Sequence, residues 1–462
     1  MHPSQRANRH QQKRFRHQAS SCDSYTFFNL LTDPQLLDQV ESLLPEHRER
    51  LFPPTETLSM FLAQAMSSDR SCQRAVNDAA LKRLLGRLPA CSTHTGAYCR
   101  ARQRLPQEMI TTLARHTGRQ LTERTPLGWR WRGRAVRLVD GTTVSLPDTE
   151  DNQQHYPQPG SQRPGLGFPQ CRIVGIVCLA SGAVLNAALG ACQGKGGDEQ
   201  SLLRSMLDTL HEGDLLVGDA YYATYFLLCA LQAKGVDGVF EQQGARQRCT
   251  DYRRGCKLGV RDHLMTLSKP KTKPDWMSQT DYDRAPTALQ VRELSMDRKT
   301  LVTTLCCPKG TSKAALKALY RERWHIELDL RNIKTTLGME RLSCRTAAMV
   351  VKEIWVYLLA YNLIRLLMGQ AALMADTLPR QLSFKHTVQL WSTWRQLNLS
   401  GYDEDLLNGL FELIAQQQVG NRPGRIEPRA VKRRPKPFPL LTKTRHQAQE
   451  IIIKHGHPKK LK

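Results

Sequence analysis

The sequence predicts an α/β protein built on a mixed β-sheet with helices on both faces. Three observations carry that expectation. Two short apolar runs each end on an aspartate, Ala135 to Asp140 (AVRLVD) and Leu215 to Asp219 (LLVGD). Between them lie two more strand-like runs separated by Ser181-Gly182, which read as a hairpin, and a segment of helical period. Before residue 130 and after residue 310 the apolar residues recur at three- and four-residue spacing, as helices require.

The chain has 462 residues, room for several domains and a sizeable core. Its 67 Lys and Arg against 42 acidic residues give a net charge of +25, which points to a polyanionic partner or an anionic membrane surface. The tails concentrate that charge. Residues 1–20 hold five Lys/Arg and no acid, and residues 421–462 hold thirteen Lys/Arg and two acids. Thirteen scattered cysteines without a CxxC pair argue against a disulfide framework or a zinc site and suit buried thiols in a reducing cytosol. The N-terminal MHPSQRANRHQQKRFRH has no apolar run and does not read as a secretory signal. The most apolar segment, residues 347–367, is interrupted by Lys352, Glu353, Asn362 and Arg365, so it reads as a buried helix rather than a membrane span.

In chain order, residues 1–24 read as a basic disordered arm and 25–130 as an N-terminal all-α domain. LSMFLAQAM sets Leu58, Phe61, Leu62 and Ala65 on one face, and CQRAVNDAALKRLL does the same with Cys72, Ala75, Val76 and Ala79. A third helix, around Thr95 to Leu105, carries Arg100 and Arg104 one turn apart, with Arg102 beside them. Three short helices ending in an arginine-studded one are similar to a helix-turn-helix DNA reader; a plain bundle with solvated arginines competes.

The period changes at residue 131. The strand 135–140 leads through a Pro/Gly/Gln loop, Asp148 to Gln170, into the hairpin, then a helix capped by Asp198, the strand 215–219, a helix around 222–233 and a strand over 238–242. Strand, hairpin, helix, strand, helix, strand is the order of a ribonuclease-H-like mixed sheet, in which the first and fourth strands are parallel neighbours. That order brings Asp140 and Asp219 together, whereas Asp148, Glu150 and Asp151 sit in loop and Asp214 lies at the other end of its strand. Either aspartate alone would read as a turn former or cap. Residues 243–310 are polar with β-rich runs (LMTLS, ALQVREL, TLVTTLC) and read as an inserted β subdomain. Residues 311–370 complete the sheet domain, 371–420 hold two C-terminal helices, and 421–462 form a basic tail. Its prolines oppose helix, and its cations, Lys432, Arg433 and Arg434 among them, suit phosphates.

The most informative stretch is Tyr320 to Lys334, YRERWHIELDLRNIK. If Lys313 to Leu337 is one helix, turning about 100° per residue, then Tyr320, Arg323, Glu327 and Lys334 share an arc of roughly 60°, with Glu322 and Asp329 opposite. One carboxylate then stands among two cations and a phenol. Glu is a hard oxygen ligand for a divalent cation; Arg, Lys and Tyr are donors for phosphate oxygens. A solvated face with an Arg323–Glu327 ion pair is the plainer alternative.

The spacing Tyr, two residues, Arg, three residues, Glu, six residues, Lys resembles the signature of the IS-four family of DDE insertion-sequence transposases, over roughly residues 50–440. The resemblance implies metal-dependent cut-and-paste transposition: a nick at the transposon end, attack of the freed 3′-hydroxyl to form a hairpin, hairpin opening and strand transfer. It makes Asp140, Asp219 and Glu327 the catalytic, metal-ligating carboxylates. Three carboxylates in one cleft repel one another until cations offset them, so two Mg2+ are expected, with Mn2+ able to substitute and Asp140 bridging. Tyr320, Arg323 and Lys334 would bind DNA phosphates. Trp276, the only Trp in the inserted stretch, is the candidate to stack on a flipped base, against the commoner role of packing on an apolar cluster. Ala220-Tyr221-Tyr222 stands where better-known members carry an Arg-Glu pair. The partners implied are the element's terminal inverted repeats, target DNA and a second copy of the chain, without a membrane, in the bacterial cytoplasm at the nucleoid. An idle DNA-binding descendant of a transposase and a ribonuclease-H-like nuclease are the alternatives. The charge and the phosphate stripe argue against a paired-carboxylate glycosidase.

Overall fold

The computed structural model describes residues 42–43, 52–85, 87, 90–194, 196–397, 404–420 and 442–456. The arm 1–24 and the cations Lys432, Arg433 and Arg434 lie outside the described residues. A single sheet organises the rest. Its strands are β1 (Val136–Ser145), β2 (Gln170–Cys178), β3 (Val184–Ala191), β4 (Leu215–Gly218), β5 (Asp237–Glu241), β6 (Cys256–Gly259), β7 (Asp262–Ser268), β8 (Ala288–Met296) and β9 (Lys299–Thr303). They lie in the order β3-β2-β1-β4-β5-β9-β8-β7-β6, with β1, β4 and β5 mutually parallel and the other pairs antiparallel. The stretch 243–310 is β-rich, but β9 pairs with β5, so its strands extend the main sheet instead of forming one of their own.

The parallel pairing of β1 and β4 matches Leu138 with Val217. Continued for two residues, that register would bring Asp140 level with Asp219, which follows the end of β4 at Gly218. β1 does not end on Asp140, however. It runs on to Ser145 because β2 pairs along its whole length, with Gly175 opposite Asp140.

The helices of the described residues are α1 (Pro54–Met66), α2 (Cys72–Leu85), α3 (Gly96–Arg104), α4 (Gln107–Glu123), α5 (Glu150–His155), α6 (Glu199–Arg204), α7 (Tyr225–Ala233), α8 (Gly244–Gln247), α9 (Gln279–Arg284), α10 (Lys313–Arg321), α11 (Trp324–Arg331), α12 (Ala347–Met374), α13 (Phe384–Leu397), α14 (Glu404–Gln416) and α15 (Arg445–His455). They cover both faces. Leu138, Val177 and Leu330 pack with α12 on one side, while Val139, Ile176, Leu203 and Leu228 form the core on the other. The alternation of Leu138 and Val139 along β1 follows from the two-residue period of a strand buried on both faces. α4, grouped by sequence with the N-terminal helices, packs instead on α12 and β3; a smaller core of Phe52, Met60, Val76 and Tyr98 joins α1, α2 and α3.

α12 is packed inside the protein, with 78% of its most apolar window buried. Its polar residues are satisfied there. Glu353 accepts the N–H groups of Ser343 and Cys344, the Asn362 amide donates to Ala114 and Val184 carbonyls, and Arg365 reaches Asp329. α15 begins after the last proline of the Pro-rich run, Pro439, where a capping box of Thr444 and Gln447 starts it; the tail is therefore not helix-free.

Residues 313–337 are not one helix. Between α10 and α11 the N–H groups of Glu322 and Arg323 bond to Leu319 and Tyr320, three residues back, which overwinds the chain. After α11 a π turn, Asn332–Thr336, underwinds it, and Gly338 at φ 87° ends the segment. These two turns break the uniform step on which a single stripe depends.

Candidate active site

Asp140 is largely buried on β1, and its Oδ1 accepts the Gly141 N–H at 2.8 Å. Burial, with the like charges of Asp219 and Glu199 adding to it, pushes its carboxyl up to about 6, against the pull of the Gly141 N–H and Arg323. Asp219 follows β4 and caps the short turn Ala220–Tyr222, accepting the Tyr221 N–H at 2.9 Å. It does what a lone aspartate at a strand end would do, and its charge still reaches Asp140. Glu327, in the first turn of α11, takes Arg323 Nη2 at 2.7 Å; Arg323 Nη1 is 4.0 Å from Asp140 Oδ2.

Asp140, Glu327 and Lys334 line one open cleft of about 300 Å³ with Thr142, Arg331 and Glu340. Asp219 does not line it. Among the described residues no three His, Cys, Asp or Glu side chains stand close enough to grip one metal ion. The Arg323 guanidinium reaches both Asp140 and Glu327 and offsets their charges.

Tyr320 departs from the expected exposed stripe. It is 5% exposed, and its hydroxyl donates to Glu241 Oε2 at 3.2 Å at the end of β5. Beside it opens a second cavity of about 420 Å³, lined by Arg298, Lys299, Tyr320, Arg321, Arg323 and Trp324 among others. Arg323 therefore borders this basic groove while touching the carboxylates of the acidic cleft. Asp329 and Glu322 point elsewhere, as their angular positions predict. Asp329 is fully buried between Arg365 and Arg380, and Glu322 pairs with His325.

Trp276 is 48% exposed, but Arg204 covers one face at 3.7 Å from the ring centroid and Phe226 meets its edge. It lines neither opening. Arg100 and Arg104 are exposed on α3, whereas Arg102 is buried over the rings of Phe61 and Tyr98. Sequence reasoning missed two residues. Trp324 is 52% exposed in the basic groove, although its place inside the signature was in plain view. Glu199 looked like an ordinary first-turn acid behind its cap Asp198, and nothing local marks its approach to Asp140.

The protein family described as Transposase DDE domain matches residues 131–363, half of the chain, from just before β1 into α12. The chain belongs to the DDE transposase family. Transposase InsG for insertion sequence element IS4, from Escherichia coli (strain K12), is 28% identical over 431 residues, covering 89% of this chain and 92% of that protein. Putative transposase InsZ of the same organism is 26% identical over 140 residues, 30% of this chain and 46% of its own. The cryo-EM structure of the piggyBac transposase synaptic complex with hairpin DNA aligns with a TM-score of 0.41 at 9% identity, covering 87% of this chain and 86% of that one. Membership of the DDE transposases, with an IS4 relative along most of the chain, agrees with the spacing of Tyr320, Arg323, Glu327 and Lys334.

Proposed function

We propose that this DDE transposase moves an insertion sequence by cut-and-paste, cutting and rejoining DNA at a centre formed by Asp140, Asp219 and Glu327 in a ribonuclease-H-like sheet. The observation that carries the reading is the meeting of Asp140 and Glu327 in one cleft, with Arg323 between them, Lys334 beside them and the Asp219 charge acting on Asp140. The donor set fits a hard divalent cation: all ligands are carboxylate oxygens, and burial with mutual repulsion raises Asp140 in a way that a cation would relieve. Asp140, Asp219 and Glu327 would hold Mg2+, two ions in this reading, which when bound would activate the attacking oxygen and stabilise the leaving one.

The chain's own residues do the remaining work. Arg323 releases the carboxylates and turns its planar fork to a DNA phosphate, and Lys334 adds a point charge across the cleft. Tyr320 acts indirectly, by holding Glu241 through its hydroxyl. Trp276, or Trp324 in the basic groove, stacks on an unpaired base. Arg100, Arg104 and the basic tail, including Lys432, Arg433 and Arg434, hold DNA through its phosphates, and two copies of the chain pair the two inverted-repeat ends.

The test uses the DNA that flanks the gene. Labelled end fragments are incubated with the full chain in Mg2+ or chelator, beside Asp219→Ala. Magnesium-dependent nicking followed by a hairpin-sized product, both lost in the variant, is expected. Binding without any cutting would overturn the reading in favour of an idle DNA-binding descendant, and cutting without rejoining would favour a nuclease.

A further inference from the structure

A fourth acidic side chain packs against the same centre. α6 opens at Glu199, and its carboxylate reaches Gly141, the residue after Asp140. A Cβ at position 141 would lie 2.3 Å from the Glu199 carboxyl carbon and 2.4 Å from Oε1, so any larger residue would displace this carboxylate. The second aspartate is flanked in the same way. Tyr222, fully buried, donates its hydroxyl to Glu199 Oε2 at 3.2 Å, and a Cβ at Gly218, the residue before Asp219, would lie 2.9 Å from the Tyr222 ring. Each aspartate thus has a glycine neighbour, and one hydrogen-bonded pair, Glu199 with Tyr222, fills the space that the two glycines leave.

Arg172, on β2, donates its guanidinium to the Gly197 carbonyl at 2.8 Å, two residues before Glu199. A glutamine would fill the same volume as Glu199 without its charge.

We propose that Glu199, oriented by Tyr222, is a fourth carboxylate of the catalytic centre and strengthens the hold of Asp140 and Asp219 on a divalent cation. This rests on the reading of Asp140, Asp219 and Glu327 as metal ligands.

The experiment titrates Mn2+ into the full chain with a duplex copied from the DNA flanking its gene, reading free Mn2+ by electron paramagnetic resonance. Wild type, Glu199→Gln, Tyr222→Phe and Asp219→Asn are compared, with the Tm of each in chelator as a check on folding. Glu199→Gln is expected to bind Mn2+ about 10–100-fold more weakly with a metal-free Tm no lower than that of wild type, with a smaller loss in Tyr222→Phe. Wild-type affinity in Glu199→Gln beside weakened Asp219→Asn would overturn the fourth carboxylate and leave the triad standing. Absence of Mn2+ binding by the wild type would overturn both. A double-mutant cycle checks the contact without metal: Gly141→Ala should lower the Tm in wild type and much less in Glu199→Ala, and equal losses in both backgrounds would overturn the packing on which the proposal stands.

Discussion

Arg323 and Glu327 form a 2.7 Å ion pair one helical turn apart, and the same guanidinium reaches to 4.0 Å from Asp140. In this arrangement a cation already sits between two of the three carboxylates proposed to hold metal. In the proposed mechanism metal and Arg323 compete for the same charge, and a DNA phosphate would draw the arginine away. Arg323→Ala should therefore raise metal affinity while impairing hairpin formation more than the first nick, and Lys334→Ala should impair the hairpin without the gain in affinity. Metal titration and product analysis on end fragments separate the two. Equal loss at nick and hairpin would count against phosphate positioning.

Glu327→Gln keeps the volume and removes the charge. Cleavage should fall by more than about 100-fold, with end binding nearly intact, because a proposed metal ligand is lost while the cations proposed to touch DNA remain. A gel-shift assay beside the cleavage assay checks it, and a variant that still cuts would remove Glu327 from the centre.

The raised Asp140 carboxyl gives a pH dependence of stability. An unfolded aspartate titrates near about 3.9; the folded one is pushed up to about 6, chiefly by burial. Between those values the native state binds more protons than the unfolded state, so stability falls as pH rises through this window and stays lower above it. With metal chelated, Asp140→Asn should be more stable than wild type above pH 6 by about 1–3 kcal/mol, and the difference should vanish near pH 4. Urea unfolding at both pH values measures it.

Asp329 fixes the signature helix to the core. It is fully buried, with Arg365 Nη2 at 2.5 Å and Arg380 Nη1 at 2.7 Å. Asp329→Ala leaves two interior cations without their anion and should cost about 3–5 kcal/mol. Denaturant unfolding should show that loss, and a drop below about 1 kcal/mol would mean the arginines find water.

Deleting residues 421–462 removes thirteen Lys/Arg. If they contact phosphates, the slope of log affinity against log salt should flatten. An unchanged slope would assign the tail another role.

The sequence by itself determined what depends on local pattern. Alternation and apolar runs marked β2, β3, β4, β7, β8 and β9 but not β6, and Lys352, Glu353, Asn362 and Arg365 marked 347–367 as a buried helix. The spacing from Tyr320 to Lys334 pointed to the family. The order of the elements placed β1 and β4 side by side and parallel, while their register, which adjacency alone does not fix, was decided by packing. Contacts between distant segments were decided by the tertiary structure alone. A tight turn at Glu322–Arg323 and a π turn at Asn332–Thr336 broke the single helix, and Tyr320 is buried with its hydroxyl on Glu241, since helix winding answers to packing on both ends as well as to propensity. Glu199 lies 59 positions from Asp140 in the chain, and its approach depends on the absence of a side chain at Gly141 and the presence of a ring at Tyr222. No periodicity encodes that meeting, because it arises from how a folded sheet and a helix N-terminus share one small volume.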